Sequence, residues 1–465
     1  MKAIYFFLII FFSSFINIIS ESEATFISFE TEGPGYTISE DTITIQGEGT
    51  FNLNGTISDK KIIVSSSCTL NLIELNLLNN GKLTPIVIGE NKRVNLILTE
   101  FNYLTDSSEN ENEGTIYLQK GASLIISGTG TLSINPKKNM AINGTEGTSL
   151  TVNDGAYISI ISETSTGGGI YLRKEIIFNK ATYIYNCPKG EKHAIDTEGD
   201  ISLIEGVFNI DSGKGKGIQA ENNLYIGKEN GKDEDLTLSI KTSNEGIEAK
   251  VITINSGFIE IDSGEDGINA SSSGNDCGET VKCSGNCVCK IYIKGGELEI
   301  LAEGDGIDAN GDITISGGLI QIFAASQTQG GNQPIDQDGL LKIEAGTIIA
   351  AGTPSMGGVN AQTNQIAKIY NGNIKKGNKI IIFVSGVEVF NIEAPKDANY
   401  IYFNYKDSYT VKIDNTQISL TEPSQNQQQQ GENPNGNPPA KSSVDGFGNF
   451  LSLSNILFFY GFILL

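Results

Sequence analysis

Acidic and amide side chains recur at two fixed offsets from a repeated isoleucine. One position after it stand Asp196, Gln219, Glu248, Asn269, Asp308 and Asp336, and two positions before it stand His193, Lys216, Glu245, Asp266 and Asp305. If the repeats stack, equivalent residues lie about 4.8 Å apart. Carboxylates that close repel one another unless they are protonated or share a cation, and a hard cation with about six to eight oxygen ligands suits them. The expectation is Ca²⁺ held between coils by Glu245, Glu248, Asp266, Asn269, Asp305 and Asp308, with Asp336 ending the column. The competing reading is that these Asp and Asn residues make turns and keep an acidic exterior soluble. No linear motif decides between them. Asp308, Asn310 and Asp312 begin like an EF-hand loop, but Ile313 and Leu319 replace its glycine and final glutamate.

The same carboxylates raise the question of catalysis, since sugar-chain cleavage uses paired acids or a base of suitable pKa beside a cation. Arginine occurs only as Arg93 and Arg173, neither near the acidic columns in sequence, and His193 is the sole histidine. Lys250, Lys290 and Lys294 are the nearest candidate bases, and solvated lysines are the simpler reading of all three. No catalytic residue is assigned.

The elements that must position these groups are short strands. The anchor isoleucines Ile116, Ile142, Ile170, Ile195, Ile218, Ile247, Ile268, Ile307 and Ile335 follow one another at 21 to 29 residues, except for one interval of 39 that contains a cysteine-rich insertion. Each phrase is followed by two alternating runs around a glycine turn, as in Asp312-Ile-Thr-Ile-Ser316, Gly317-Gly318, Leu319-Ile-Gln-Ile-Phe323. Such a unit cannot close a core alone, whereas stacked units share one. The sequence therefore predicts an all-β protein: a right-handed parallel β-helix with three short strands per coil over residues 25–365, and a C-terminal β cap over 366–423. An antiparallel sandwich is the runner-up, and it leaves the recurrence of a whole phrase unexplained.

Composition agrees with many strands and turns: 54 Gly, no Trp, and 32 basic against 55 acidic residues, a net charge of −23. With no basic patch, neither nucleic acid nor a nucleotide cofactor is expected as a partner. Residues 1–20 have the layout of a secretory signal peptide, with cleavage after Ser20 or Ala24. Residues 424–443 form a Gln/Asn/Pro-rich stalk, and 444–465 end in an apolar run that fits either a glycosylphosphatidylinositol signal, with Ser442 or Ser443 as attachment candidates, or a membrane tail. That address, secretory pathway to cell surface, makes Cys277, Cys283, Cys287 and Cys289 disulfide candidates closing one loop through two bridges; their C-x5-C-x3-C-x-C spacing is not that of a zinc site. Asn54, Asn143 and Asn269 begin glycosylation sequons.

The strings SGEDGINA (263–270), AEGDGIDANGDITISGG (302–318), PIDQDG (334–339) and GTIIAAG (346–352), with DTITIQGEGTFNLNGTISDKKIIV (41–64), resemble bacterial carbohydrate-binding-domain proteins of the polygalacturonate-binding β-helix family. The similarity runs from about residue 38 to 415. It implies a pectate-lyase-like parallel β-helix, bound calcium and adhesion to acidic plant polysaccharide. His193 and Lys216 depart from that pattern, which weakens metal binding there. Three function classes follow: a non-catalytic module binding acidic polysaccharide through calcium, a calcium-dependent pectate lyase, and a structural or adhesive coat protein.

Overall fold

The computed structural model describes residues 35–423, apart from 80, 82, 108–112, 154, 165, 273–276, 278–287, 327–330 and 356. The segments expected to be signal peptide, stalk and apolar tail, and with them Ser442 and Ser443, lie outside the described residues, as do Cys283 and Cys287.

Alternation of apolar and polar residues dictates the local structure. Lys290–Ile293 and Glu175–Phe178 bury every second side chain, and the buried members are Ile or Phe. A strand with one apolar face must cover it, and three short strands per coil can do so only around a shared axis. The result is a β-solenoid of about 10 turns with parallel pairing between successive coils. The expected fold class holds.

The anchor isoleucines form one continuous ladder. Ile195, Ile218, Ile247, Ile268, Ile307 and Ile335 pair in sequence, all fully buried. The ladder continues upward through Ile170, Ile142, Ile116, Ile86 and Ile62 to Ile43, so the less regular N-terminal coils share the same first sheet. Each such side chain contributes roughly 1.5–3 kcal/mol by leaving water.

Solenoid ends expose unpaired strand edges, which invite association. At the N-terminal end Tyr36–Ile38 folds back antiparallel on Thr42–Ile45. At the other end Ala398–Tyr405 pairs antiparallel with the second half of Leu341–Gly352 and with Ile366–Ile374, around a small core that includes Phe323, Ile349, Ile401 and Phe403. A separate antiparallel sheet of Lys379–Val384, Val387–Glu393, Tyr409–Ile413 and Thr416–Gln417 completes the cap.

Of the cysteine cluster, Cys277 and Cys289 form a disulfide across a separation of 12 residues, where two bridges were expected; the other two cysteines are not described. Cys68 and Cys187 are free and buried in the core, where burial pushes each thiol up to about 11, so they act as small apolar residues.

Because each coil leans on its neighbours, truncation in the shared ladder should be costly. Ile307→Ala is expected to lose about 2–5 kcal/mol in a denaturant titration, against no more than about 0.5 kcal/mol for the exposed Glu260→Ala. Equal losses in the two variants would mean that the ladder does not carry the stability.

Candidate functional site

The glycine before four successive anchors, Ile218, Ile247, Ile268 and Ile307, brings the acidic positions together. Gly217, Gly246, Gly267 and Gly306 donate their N–H groups to the carbonyls of Glu245, Asp266, Asp305 and Gln333 on the next coil, at 3.2, 2.9, 2.9 and 3.4 Å. No side chain fits at these positions. A Cβ at Gly267 would lie 2.4 Å from Ile300 Cγ2 and 2.6 Å from the Gly306 oxygen, and one at Gly306 would lie 2.2 Å from Ile322 Cγ2. The recurring Gly-Ile pair is thus a packing requirement, and it fixes the residue two before the anchor against its counterpart one coil away.

The outward column runs in register as Asp196, Gln219, Glu248, Asn269, Asp308, Asp336. Asn269 and Asp308 are neighbours although the cysteine loop separates them in sequence. In the second column Asp266 Oδ1 accepts the Asp305 N–H at 2.6 Å, and Asp305 Oδ1 accepts the Gln333 N–H. The two columns converge at Asp266, Asp305 and Asp308, whose ligand oxygens all lie within 4.8 Å of one another. Among the described residues, no cation is among the interactions that set their charge state. Burial, with the neighbouring carboxylates, pushes Asp305 up to about 8 and Asp308 up to about 9. Burial raises Asp266 to about 6, against the pull of the Asp305 N–H. Asp336 follows in the register, its carboxyl accepting from Gln333 Nε2 and the Gln337 N–H at 2.8 Å each.

Glu245 and Glu248 have a different counter-charge. The Lys216 ammonium lies 2.7 Å from Glu245 Oε2 and also contacts Glu248, with all three side chains largely buried. Burial disfavours that ammonium, but the two glutamates outweigh it and hold its pKa above the usual lysine value. Asn269 Nδ2 donates to Glu245 Oε1 at 3.1 Å, and Ser271 donates to Glu248. Above them His193 accepts the Lys216 N–H on Nδ1 at 2.8 Å, and burial, aided by Lys216, lowers its pKa to about 4. In the upper part of the ladder a lysine of the protein itself offsets part of the charge, although burial and Glu248 still hold the Glu245 carboxyl above its usual range.

The lower part fits a hard divalent cation. Its donors are all oxygens, and two buried acceptors beside them, Asn269 Oδ1 and Gln333 Oε1, have no hydrogen-bond donor among the described residues. Gln333 was missed by sequence reasoning although it was findable: it stands two residues before Ile335, the offset that Asp305 has from Ile307. Ser271 carried no comparable signal.

The remaining candidates lie apart from the Asp266, Asp305 and Asp308 cluster, although Arg173 lines a cavity with His193 and Asp196 at the upper end of the column. Lys290 starts a strand of the second sheet and approaches Asp312 at 3.9 Å, while Asp312 Oδ1 accepts the Leu340 N–H, as a turn-forming aspartate does. Arg173 pairs with Glu198 and lies over the Tyr171 ring. Of the sequon residues, Asn54 is half-buried at a bulge before Gly55, whereas Asn143 and Asn269 are buried within the outward column of the first sheet.

The raised aspartates make stability depend on pH in a defined sense. Their folded pKa values exceed the unfolded value of 3.8, so the folded state binds protons more tightly, and their contribution is lost as pH rises through about 6 to 9. In chelator the melting temperature should fall from about pH 5 to about pH 9, and Asp305→Asn/Asp308→Asn should flatten that slope. The same slope in the variant would remove these carboxylates as its source.

The family model of carbohydrate-binding domain-containing proteins matches residues 39–286 and 237–379, which takes in every coil that carries the ladder. Neither the curated proteins nor the solved structures give a significant match to the chain. The family match spans well over half of the sequence, and on that basis the protein belongs to the carbohydrate-binding domain-containing family.

Proposed function

We propose that this chain is a secreted, surface-anchored, non-catalytic protein that holds an acidic, uronic-acid polysaccharide against the first sheet by way of Ca²⁺. The observation that supports it is the meeting of Asp266, Asp305 and Asp308 on an outward ladder with no counter-cation among the described residues. Asp266, Asp305 and Asp308 hold the ion, with Asn269 and Gln333 offering their orphaned oxygens and Asp336 below them. Glu245 and Glu248 belong to the same ladder but keep Lys216 as their cation, so the ion is assigned to the lower coils. Bound Ca²⁺ supplies positive charge and coordination positions that a uronate carboxylate can share. A chain of charge −23 otherwise repels a polyanion.

One observation weighs on the lyase alternative. Lys216 is the lysine within the columns, and its pKa is shifted upward, away from that of a useful general base. Unsaturated, ultraviolet-absorbing products from polygalacturonate would nevertheless establish that activity, and absence of any glycan retention would favour a coat protein.

Polygalacturonate retention is expected with Ca²⁺ and is expected to weaken at least tenfold in EDTA and in Asp305→Ala/Asp308→Ala. Equal retention in all arms would overturn the cation bridge. The surface location rests on the apolar ends and the stalk; phosphatidylinositol-specific phospholipase C should release the protein from cells, and persistence after treatment would favour a membrane span.

A further inference from the structure

A cleft of about 360 Å³ opens at the upper end of the outward column, walled by Met140, Tyr171, Lys192, His193 and Asp196 among others. One long turn of the solenoid builds it. In the lower coils the chain reaches its next anchor through four residues, at 214–217, 243–246, 264–267 and 303–306, whereas before Ile195 it takes eight, at 187–194. The extra length brings Glu191 and Lys192 to the edge of the cleft. Lys192 Nζ donates to the Lys138 carbonyl, two coils away, at 3.1 Å. Gly168 lies between those coils and has no room for a side chain, since a Cβ there would sit 2.2 Å from Met140 Sδ and 3.0 Å from Lys192 Cβ. That packing fixes the wall.

Inside the cleft an acceptor and a donor flank the anchor Ile195. The Asp196 carboxyl receives no hydrogen bond from the described residues, and burial, followed by Glu221, raises it to about 7. His193 accepts the Lys216 N–H on Nδ1, so its neutral ring carries the proton on Nε2, where no described residue accepts it. Tyr171, one coil above Asp196 in register, is held still: its hydroxyl donates to Glu198 at 2.9 Å, and the Arg173 guanidinium lies 4.9 Å from its ring centroid. Most of the charge is already answered, Arg173 by Glu198 and Glu191 by Lys214. A simple anion would face Asp196, and a simple cation would face Lys192. What the cleft offers is a fixed aromatic wall and an unused donor and acceptor, which suit hydroxyl groups that both donate and accept.

We propose that this cleft is a second saccharide site, which takes a pyranose by two adjacent ring hydroxyls without a cation: Asp196 accepts from one, and His193 Nε2–H donates to the other. The inference rests on the reading of the chain as a saccharide-binding protein and not on the Ca²⁺ bridge. Asp196 and Asp308 stand four coils apart in one column, roughly 19 Å. A sugar chain lying along the sheet can therefore occupy both places.

His193 is the sole histidine, so in histidine-labelled full chain its imidazole gives one unambiguous set of NMR signals. The protein is made without N-glycans, because Asn143 lines the cleft. Trigalacturonate and galactotriose share their ring hydroxyls and differ in carboxylates, and in EDTA each should shift the His193 signals saturably. Asp196→Ala should weaken that binding at least tenfold with its melting temperature unchanged. Asp196→Asn, which keeps the shape and an acceptor oxygen, should bind within about threefold of wild type and guards against a folding defect in the alanine variant. Asp305→Ala/Asp308→Ala should bind like wild type, which separates this site from the cation bridge. No shift with either sugar, equal affinity in Asp196→Ala, or a shift that inorganic phosphate reproduces would overturn the proposal.

Discussion

Parallel stacking one coil apart is the constraint on which everything else in this molecule depends. It brings equivalent residues to about 4.8 Å whatever the length of chain between them. The cysteine loop lengthens one repeat, yet Asn269 and Asp308 remain in register because the buried isoleucines and the glycine hydrogen bonds beside them set the spacing. Once the backbone is held that way, the charges on its outer surface have no freedom to separate. A residue that is harmless alone becomes a charge problem when its neighbours above and below carry the same sign.

The ladder contains two solutions to that problem. In its upper part the chain supplies its own cation: Lys216 reaches between Glu245 and Glu248, and burial is tolerated because two carboxylates share one ammonium. In every described coil below it the position of Lys216 is taken by an acid or an amide, and three coils down Asp305 and Asp308 are left with raised pKa values and two orphaned amide oxygens nearby. The fold is indifferent to which solution is used. A single residue two positions before the anchor decides it, so the electrostatic character of the surface changes from coil to coil while the core stays the same.

A solenoid also keeps in one line a surface that a globular domain would break up. The cleft at Asp196 and the carboxylate cluster belong to one column of the first sheet, which is continuous because side chains at one offset always emerge on one face. Membership in a carbohydrate-binding domain-containing family makes a saccharide the kind of partner to consider for such a surface.

Much of this was legible in the residues themselves. The period of two within strands and the recurring Gly-Ile phrase determined the parallel coil, the inward isoleucines and the order Asp196, Gln219, Glu248, Asn269, Asp308, Asp336, because register in a solenoid follows from aligning the repeats. The length of the first sheet was less plain: Ile43, Ile62 and Ile86 lack the full phrase, and pairing alone shows that they continue the ladder. What only the tertiary structure decided was how each charge is answered. That Lys216 reaches down to Glu245 and Glu248, that Gln333 turns one nitrogen to Asp336 while its oxygen stays unpaired, and that Cys187 is sealed in the core depend on the direction and burial of individual side chains. Repeat spacing sets where a side chain starts, but the packing around it sets where it ends.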